Sequence, residues 1–212
     1  MSLKNVLAEI QNCKCKHELP HGFRPILQVS TSARLCIASQ APGIRAHETG
    51  IPFNDRSGDR LREWMGMDRK TFYGRNVAIV PMDFCFPGHL PNGADKPPRS
   101  KCALAWRDRL LAELPHIELT LLVGSYAQAW HLGDNAKSNL TETVRAWREY
   151  TPRYLPLAHP SWHNNAWLAA NPWFEREILP YLKRRVREIC HSSIILIPQT
   201  RSSGRPPRLP RL

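Results

Sequence analysis

Four short apolar runs, at 35–38, 77–80, 119–123 and, more weakly, 154–157, punctuate the chain, and helical patterns lie between them. Each run is bounded by turn or polar residues and is, Thr120 apart, continuously apolar rather than alternating, as in a strand covered on both faces. Strands of that kind are joined by helical crossovers, so the chain is predicted to be α/β with a mostly parallel sheet. Helices are expected at 57–65, 101–114, 126–132 and 141–148, the last opened by Asn139 and Glu142 in a capping-box pattern. A final helix begins with Asn171 as N-cap and Pro172 in the first turn. It presents Phe174, Ile178, Tyr181, Leu182, Val186 and Ile189 at spacings of three and four. Lys183, Arg184, Arg185 and Arg187 in its last turns suit the negative end of the helix dipole.

A chain of 212 residues fills one domain rather than two, and 42% hydrophobic with 23% charged residues excludes disordered, coiled-coil and collagen-like classes for its bulk. The domain is expected over 1–190. From His191 a short apolar piece gives way to a Pro/Arg/Ser segment unable to build a core, so 191–212 reads as a basic, disordered tail. No apolar run approaches the ~18 residues of a membrane span. Residues 1–17 lack the apolar stretch of a signal peptide, which points to a cytoplasmic protein with no membrane partner. Net charge is +12, and the four arginines of the last twelve residues account for only part of it. Such a balance is common in proteins that meet phosphate backbones, and it equally serves solubility. Nothing marks an oligomer interface or an obligate protein partner, so a monomer is expected.

Three places carry chemistry. Ser39-Gln40-Ala41-Pro42-Gly43 directly follows the first strand, where open α/β sheets bind ligands and small residues allow close approach. An ordinary strand-to-helix turn would look similar. His159-Pro160-Ser161 follows the fourth strand, where a histidine can donate to an oxygen that gains charge as a bond breaks, or simply serve the fold. Cys13 and Cys15 precede the first strand, while Cys85 and Cys102 bracket a Pro/Gly-rich loop. Two thiolate pairs at loop ends suit an iron–sulfur cluster or zinc, with four unrelated cysteines as the alternative. Cys36, inside the first strand, reads as core.

Taken in order, SQAPG with HETGIPFNDRSGDRL, a strand with a cysteine-bearing loop, LTLLVGSYAQAWHLG and YLPLAHPSWHNNAWLAANPWF resemble the uracil-DNA glycosylase superfamily over about residues 10–188. The resemblance is nearest to the iron–sulfur branch and the bacterial uracil-DNA glycosylase-like proteins. It implies a three-layer α/β/α sandwich with a central, mostly parallel four-stranded sheet. It also implies damaged DNA as the partner, and hydrolysis of the N-glycosidic bond of uracil or another deaminated base in base-excision repair. By position it places Gln40 in the water-activating loop with Ala41, Pro42 and Gly43, and makes Phe53 the aromatic that stacks on the extruded base. His159, in the loop with Pro160 and Ser161, matches the histidine that stabilises the departing base. Cys13, Cys15, Cys85 and Cys102 match in order the four ligands of a [4Fe-4S] cluster, with one residue missing inside the first pair.

The departures matter as much. Gln40 stands where the iron–sulfur branch has glutamate, and Ala41 where other branches have aspartate or asparagine, so neither usual carboxylate is present. An amide can position a water but cannot take its proton, a service worth about 10²- to 10⁴-fold, which then falls to His47, Glu48 or Asp83. Pro81 stands where an asparagine reads the base, leaving Asp83 or Asn54 as substitutes. These gaps keep open a second reading, a member that binds damaged DNA or a nucleotide without cutting it. Trp162, Trp167 and Trp173 are expected to pack on the sheet rather than wedge a duplex. Arg56, Arg60, Arg99 and Lys101 are candidates for phosphate contacts or for solvated surface.

Overall fold

The computed structural model describes residues 2–14 and 18–191, so the segment beyond His191 lies outside the described residues. Four strands, β1 (Leu35–Ala38), β2 (Val77–Ile79), β3 (Leu119–Val123) and β4 (Tyr154–Leu157), form one sheet in the order β2-β1-β3-β4. Every pairing is parallel. The predicted strands are all present, β2 being one residue shorter than its apolar run. Ala38 lies beside Leu122 and Val123 beside Leu157, so the carboxyl ends of β1, β3 and β4 are level. From β1 the chain crosses to β2 on one side, then to β3 and β4 on the other, which opens a crevice at the strand ends.

Alternate strand residues serve opposite layers. Ile37, Ile79, Leu121 and Leu157 face a core closed by Leu61 and Trp64 of α3 (Arg56–Met65) and by Leu182 and Val186 of α9 (Leu179–His191). Cys36, Ala78 and Val80 face Val6 and Ile10 of α1 (Leu3–Gln11) and Leu110 of α5 (Ser100–Ala112). Ala38 and Leu122 meet Ala127 and Leu132 of α6 (Ser125–Leu132). The result is the three-layer α/β/α sandwich, and burial on both faces is why the strands show no polar alternation. Each fully buried leucine, isoleucine or phenylalanine in these layers contributes about 1.5–3 kcal/mol.

Two helix expectations are corrected. The helix opened by Asn139, α7 (Leu140–Arg145), is capped as predicted, with Glu142 N–H donating to Asn139 Oδ1 at 3.0 Å. It stops at Ala146, and Trp147–Glu149 continues as a 3-10 turn. Asn171 does not cap the final helix through its side chain, because its amide donates to the Trp167 carbonyl and accepts from Trp173 Nε1. The first turn, Phe174–Ile178, is a π segment. Pro180 follows closely and has no N–H with which to continue the α ladder.

Helix α5 carries a charge into the interior. Arg107 is fully buried; its Nη1 donates to the carbonyls of Val80 and Pro81, each at 2.7 Å, and its Nη2 meets His131 Nε2 at 2.8 Å. Burial, reinforced by Arg107 and Arg153, pushes the His131 imidazole down to about 3, so the ring is neutral and Nε2 accepts. This clamp fixes the chain as it leaves β2 toward the crevice. Replacing Arg107 with methionine keeps the apolar stem but leaves two buried carbonyls without donors. Stability should fall by about 2 kcal/mol, measurable as a lower midpoint of urea unfolding. Among the described residues no helix is long and apolar enough to cross a membrane.

Candidate active site

A cleft of about 810 Å³ opens at the strand ends. Its walls are Ser39 to Gly43 after β1, Pro81 after β2, the segment from Pro52 into α3, Gly93 to Asp95, and His159 with the turn that follows it. Ala41, Pro42 and Gly43 bring no long side chain to it, and Gly43 is the N-cap of α2 (Ile44–Thr49). The Gln40 amide donates to the Lys96 carbonyl at 3.2 Å and so fastens the loop between β2 and α5 against the motif.

Phe53 lines the cleft with its backbone in the left-handed region, at φ 53°. A side chain other than glycine is uncommon there and carries strain that its surroundings must hold. Tyr73 OH donates to the carbonyls of Pro52 and Phe53 at 2.8 and 3.3 Å, Arg62 Nη1 reaches the Phe53 carbonyl at 3.4 Å, and the ring meets Phe72 edge-on. Asn54 also lines the cleft; Arg69 Nη2 donates to its Oδ1 at 2.8 Å, which fixes the amide and leaves its NH2 as the available donor.

His159 is fixed from both sides. Ser161 N–H donates to His159 Nδ1 at 3.2 Å, so that nitrogen keeps its lone pair and the ring proton sits on Nε2. Asn164 Nδ2 donates to the His159 carbonyl at 2.8 Å, and Arg60 Nη1 reaches the Ser161 carbonyl at 3.3 Å and Asn165 Oδ1 at 2.8 Å. Gly124, at φ 85°, backs the imidazole; a Cβ there would lie 3.6 Å from His159 Cβ. Burial pushes the ring's pKa down to about 4, against the pull of Asp55 and with the help of His163. The imidazole is therefore a neutral donor through Nε2 at neutral pH. Pro160 is buried, and Ser161 Oγ caps the following turn at His163 N–H.

Several expected participants lie elsewhere. Asp83 does not line the cleft: its buried carboxylate accepts from Arg99 Nε, Nη2 and N–H and from Cys85 N–H. That internal pairing removes it both as a base and as a reader of the substrate. His47 is turned to the His21 carbonyl at 2.9 Å, and Glu48 pairs with Arg45 at 3.6 Å, so neither reaches the cleft. Lys101 pairs with Glu18, and Arg60 holds the His159 turn, which leaves Arg56 as the candidate phosphate contact that lines the cleft. Trp167 and Trp173 pack on the core as expected, whereas Trp162 is 69% exposed at the rim, stacked on His163.

Cys15 lies outside the described residues. Cys85 and Cys102 are buried, and Phe84 N–H donates to Cys102 Sγ at 3.4 Å, which sets that thiol against the backbone entering Cys85. Cys13 follows α1, and Glu18 pairs with Lys101 in the first turn of α5. Among the described residues no three His, Cys, Asp or Glu side chains form a group able to hold a metal ion. Cys36 is core, its thiol pushed up to about 11 by burial.

Three carboxylates in the cleft escaped sequence reasoning, Asp55, Asp59, which pairs with Arg62, and Asp95. Asp55 follows the Phe53 turn and caps α3 through Gly58 N–H at 2.9 Å, a local pattern that could have flagged it. Asp95 sits in the Pro/Gly-rich loop, where no periodicity locates a side chain. The sequence model of the uracil DNA glycosylase superfamily matches residues 27–183, spanning all four strands and the loops at their carboxyl ends, and the chain belongs to that superfamily of DNA glycosylases.

Proposed function

We propose that the protein hydrolyses the N-glycosidic bond of uracil or another deaminated base in DNA, acting on a nucleotide extruded into the cleft. The observation that carries this reading is a neutral His159, with Nε2–H as its donor, in the same cleft as the Phe53 ring. Extrusion costs a few kcal/mol, and stacking on Phe53 offsets about 1–3 kcal/mol of it. As the bond breaks, its electron pair passes to the base, and a preorganised donor at His159 stabilises the oxygen that gains charge. Asn54, whose Oδ1 is taken by Arg69, would donate through its NH2 to a base carbonyl. Oligonucleotides carrying uracil, hypoxanthine or xanthine, as single strands and as duplexes, provide the test through alkaline cleavage of the abasic product. Release from one of them is the expected result. Tight binding without release from any of them, by folded protein, overturns it in favour of a binding-only member, the reading that the amide of Gln40 and the methyl of Ala41 favour.

The cluster expectation belongs to the same reading: Cys13, Cys15, Cys85 and Cys102 would hold a [4Fe-4S] cluster, as in the iron–sulfur branch. What supports it is the corner where Cys102 Sγ accepts from the backbone N–H just before Cys85. The cluster would brace that corner and take no part in base release. Protein purified without oxygen should then contain iron and acid-labile sulfide with broad visible absorbance; colourless, iron-free protein that still releases base removes the cluster from the reading.

A further inference from the structure

We propose that Asp95 is the general base for this site, replacing the carboxylate that the motif loop lacks, and that Gln40 positions it. The inference rests on the glycosylase reading and assigns a residue and a proton path to it. The loop between β2 and α5 is folded on itself: Leu90 N–H donates to the Ala94 carbonyl at 2.7 Å, Lys96 N–H to the Gly88 carbonyl at 2.9 Å, and Ala94 N–H to Asn92 Oδ1 at 3.1 Å. Gln40 then pins it from the motif side through the Lys96 carbonyl, the residue next to Asp95. The outcome is that Asp95 Oδ2 lies 3.5 Å from where a Cβ on Gly43 would be, over the last residue of the motif itself. A carboxylate thus arrives from another loop at the turn whose own positions carry an amide and a methyl.

The two oxygens of Asp95 have different surroundings. Oδ1 faces His89 Nδ1 at 3.1 Å, and the His89 ring is packed edge-on against Phe86 with centroids 5.0 Å apart. Oδ2 is the oxygen toward Gly43, in the cleft that His159 and Phe53 also line. One oxygen is oriented and the other faces the reaction space, the arrangement a general base requires. The charged groups around it are His89 on its own loop, Asp55 ahead of α3 and His163 after β4, with Arg45, Arg56, Asp59 and His159 along the same walls. Partial burial holds the Asp95 carboxyl above the usual carboxylate range, His89 opposes that, and Asp55 adds to it. A carboxylate raised in this way is a better proton acceptor at neutral pH. Water held by Oδ2 would bond through its oxygen to C1′ and give a proton to Asp95. The C1′–N bond breaks, its electron pair leaves with the base, and the base anion held by His159 takes up the proton.

Single-turnover base release by wild-type protein, Asp95→Asn, Asp95→Glu and Asp55→Asn between about pH 4.5 and 8 tests the assignment. Asp95→Asn is expected to slow release by about 10²-fold or more and to lose the acidic limb of the pH–rate profile. Its affinity for substrate DNA and its unfolding midpoint should be unchanged, and Asp95→Glu should recover the limb. Release by Asp95→Asn at close to the wild-type rate overturns the assignment, as does slowing with the limb intact, or loss of the limb in Asp55→Asn instead. Wild-type protein that releases no base from any substrate overturns the glycosylase reading, and this assignment with it.

Discussion

Replacing His159 with alanine is expected to slow base release by about 10²- to 10³-fold, the usual consequence of removing one preorganised oxyanion donor. Affinity for the substrate DNA should change little. The effect is on the rate because a neutral N–H meets a neutral base oxygen weakly in the ground state and a charged one strongly as the bond breaks. The turn itself should survive the substitution, since Asn164 holds the His159 carbonyl and Arg60 the Ser161 carbonyl independently of the ring. Glutamine, which retains an N–H donor, should recover part of the rate. With a pKa of about 4 in the folded state against an ordinary 6.5, His159 contributes no titration to the rate near pH 6.5. The same shift has a sign for stability. Between those values the unfolded chain binds more protons, so the stabilisation present above pH 6.5 is lost as the pH falls toward 4. Melting temperatures of wild-type protein and His159→Gln across that range measure it, and the difference between the two should shrink as the acid side is reached.

What was legible in the sequence follows from how local its cause is. The strands were readable because covering a sheet on both faces favours apolar residues at successive positions, as in β1, where all four are apolar and buried. The turns after β1 and β4 were readable because strand ends are where such sheets bind ligands, and Phe53, Gln40 and His159 do meet in one cleft. Asp83 was misjudged because its carboxylate is claimed by Arg99, sixteen residues away in a loop of no fixed period. Asp95 was invisible for the same reason, its place depending on a Gln40–Lys96 bond that spans 56 residues. Trp162 sits in the 3-10 turn at the rim while Trp167 and Trp173 lie on the following helical segments that pack on the core, a difference composition does not encode.

Gly58→Ala should be the most damaging glycine-to-alanine change among the described residues. Judged by helix propensity alone it would stabilise α3 by about 1 kcal/mol, since alanine is the better helix former. The expected result has the opposite sign, a loss of about 3 kcal/mol or more, because of what stands over the helix. A Cβ on Gly58 would lie 1.8 Å from the Phe53 carbonyl oxygen, 2.7 Å from its carbon and 2.9 Å from Phe53 Cβ. The obstacle is backbone, which cannot swing aside as a side-chain tip can. Nor can the turn retreat cheaply: Tyr73 and Arg62 hold its carbonyls, and Phe53 already sits at positive φ. The same glycine supplies the N–H that Asp55 caps, so a shift there disturbs the helix start as well as the Phe53 ring proposed to stack on the base. Urea unfolding and base release should therefore fall together in Gly58→Ala, whereas Phe53→Ala, which removes only the ring, should reduce release with a smaller loss of stability. An unfolding midpoint for Gly58→Ala at or above that of the wild-type protein would mean that the Phe53 turn yields, and that its strained backbone is held less firmly than Tyr73 and Arg62 imply. The close seating of this turn on α3 is what ties the stability of the domain to the position of the Phe53 ring.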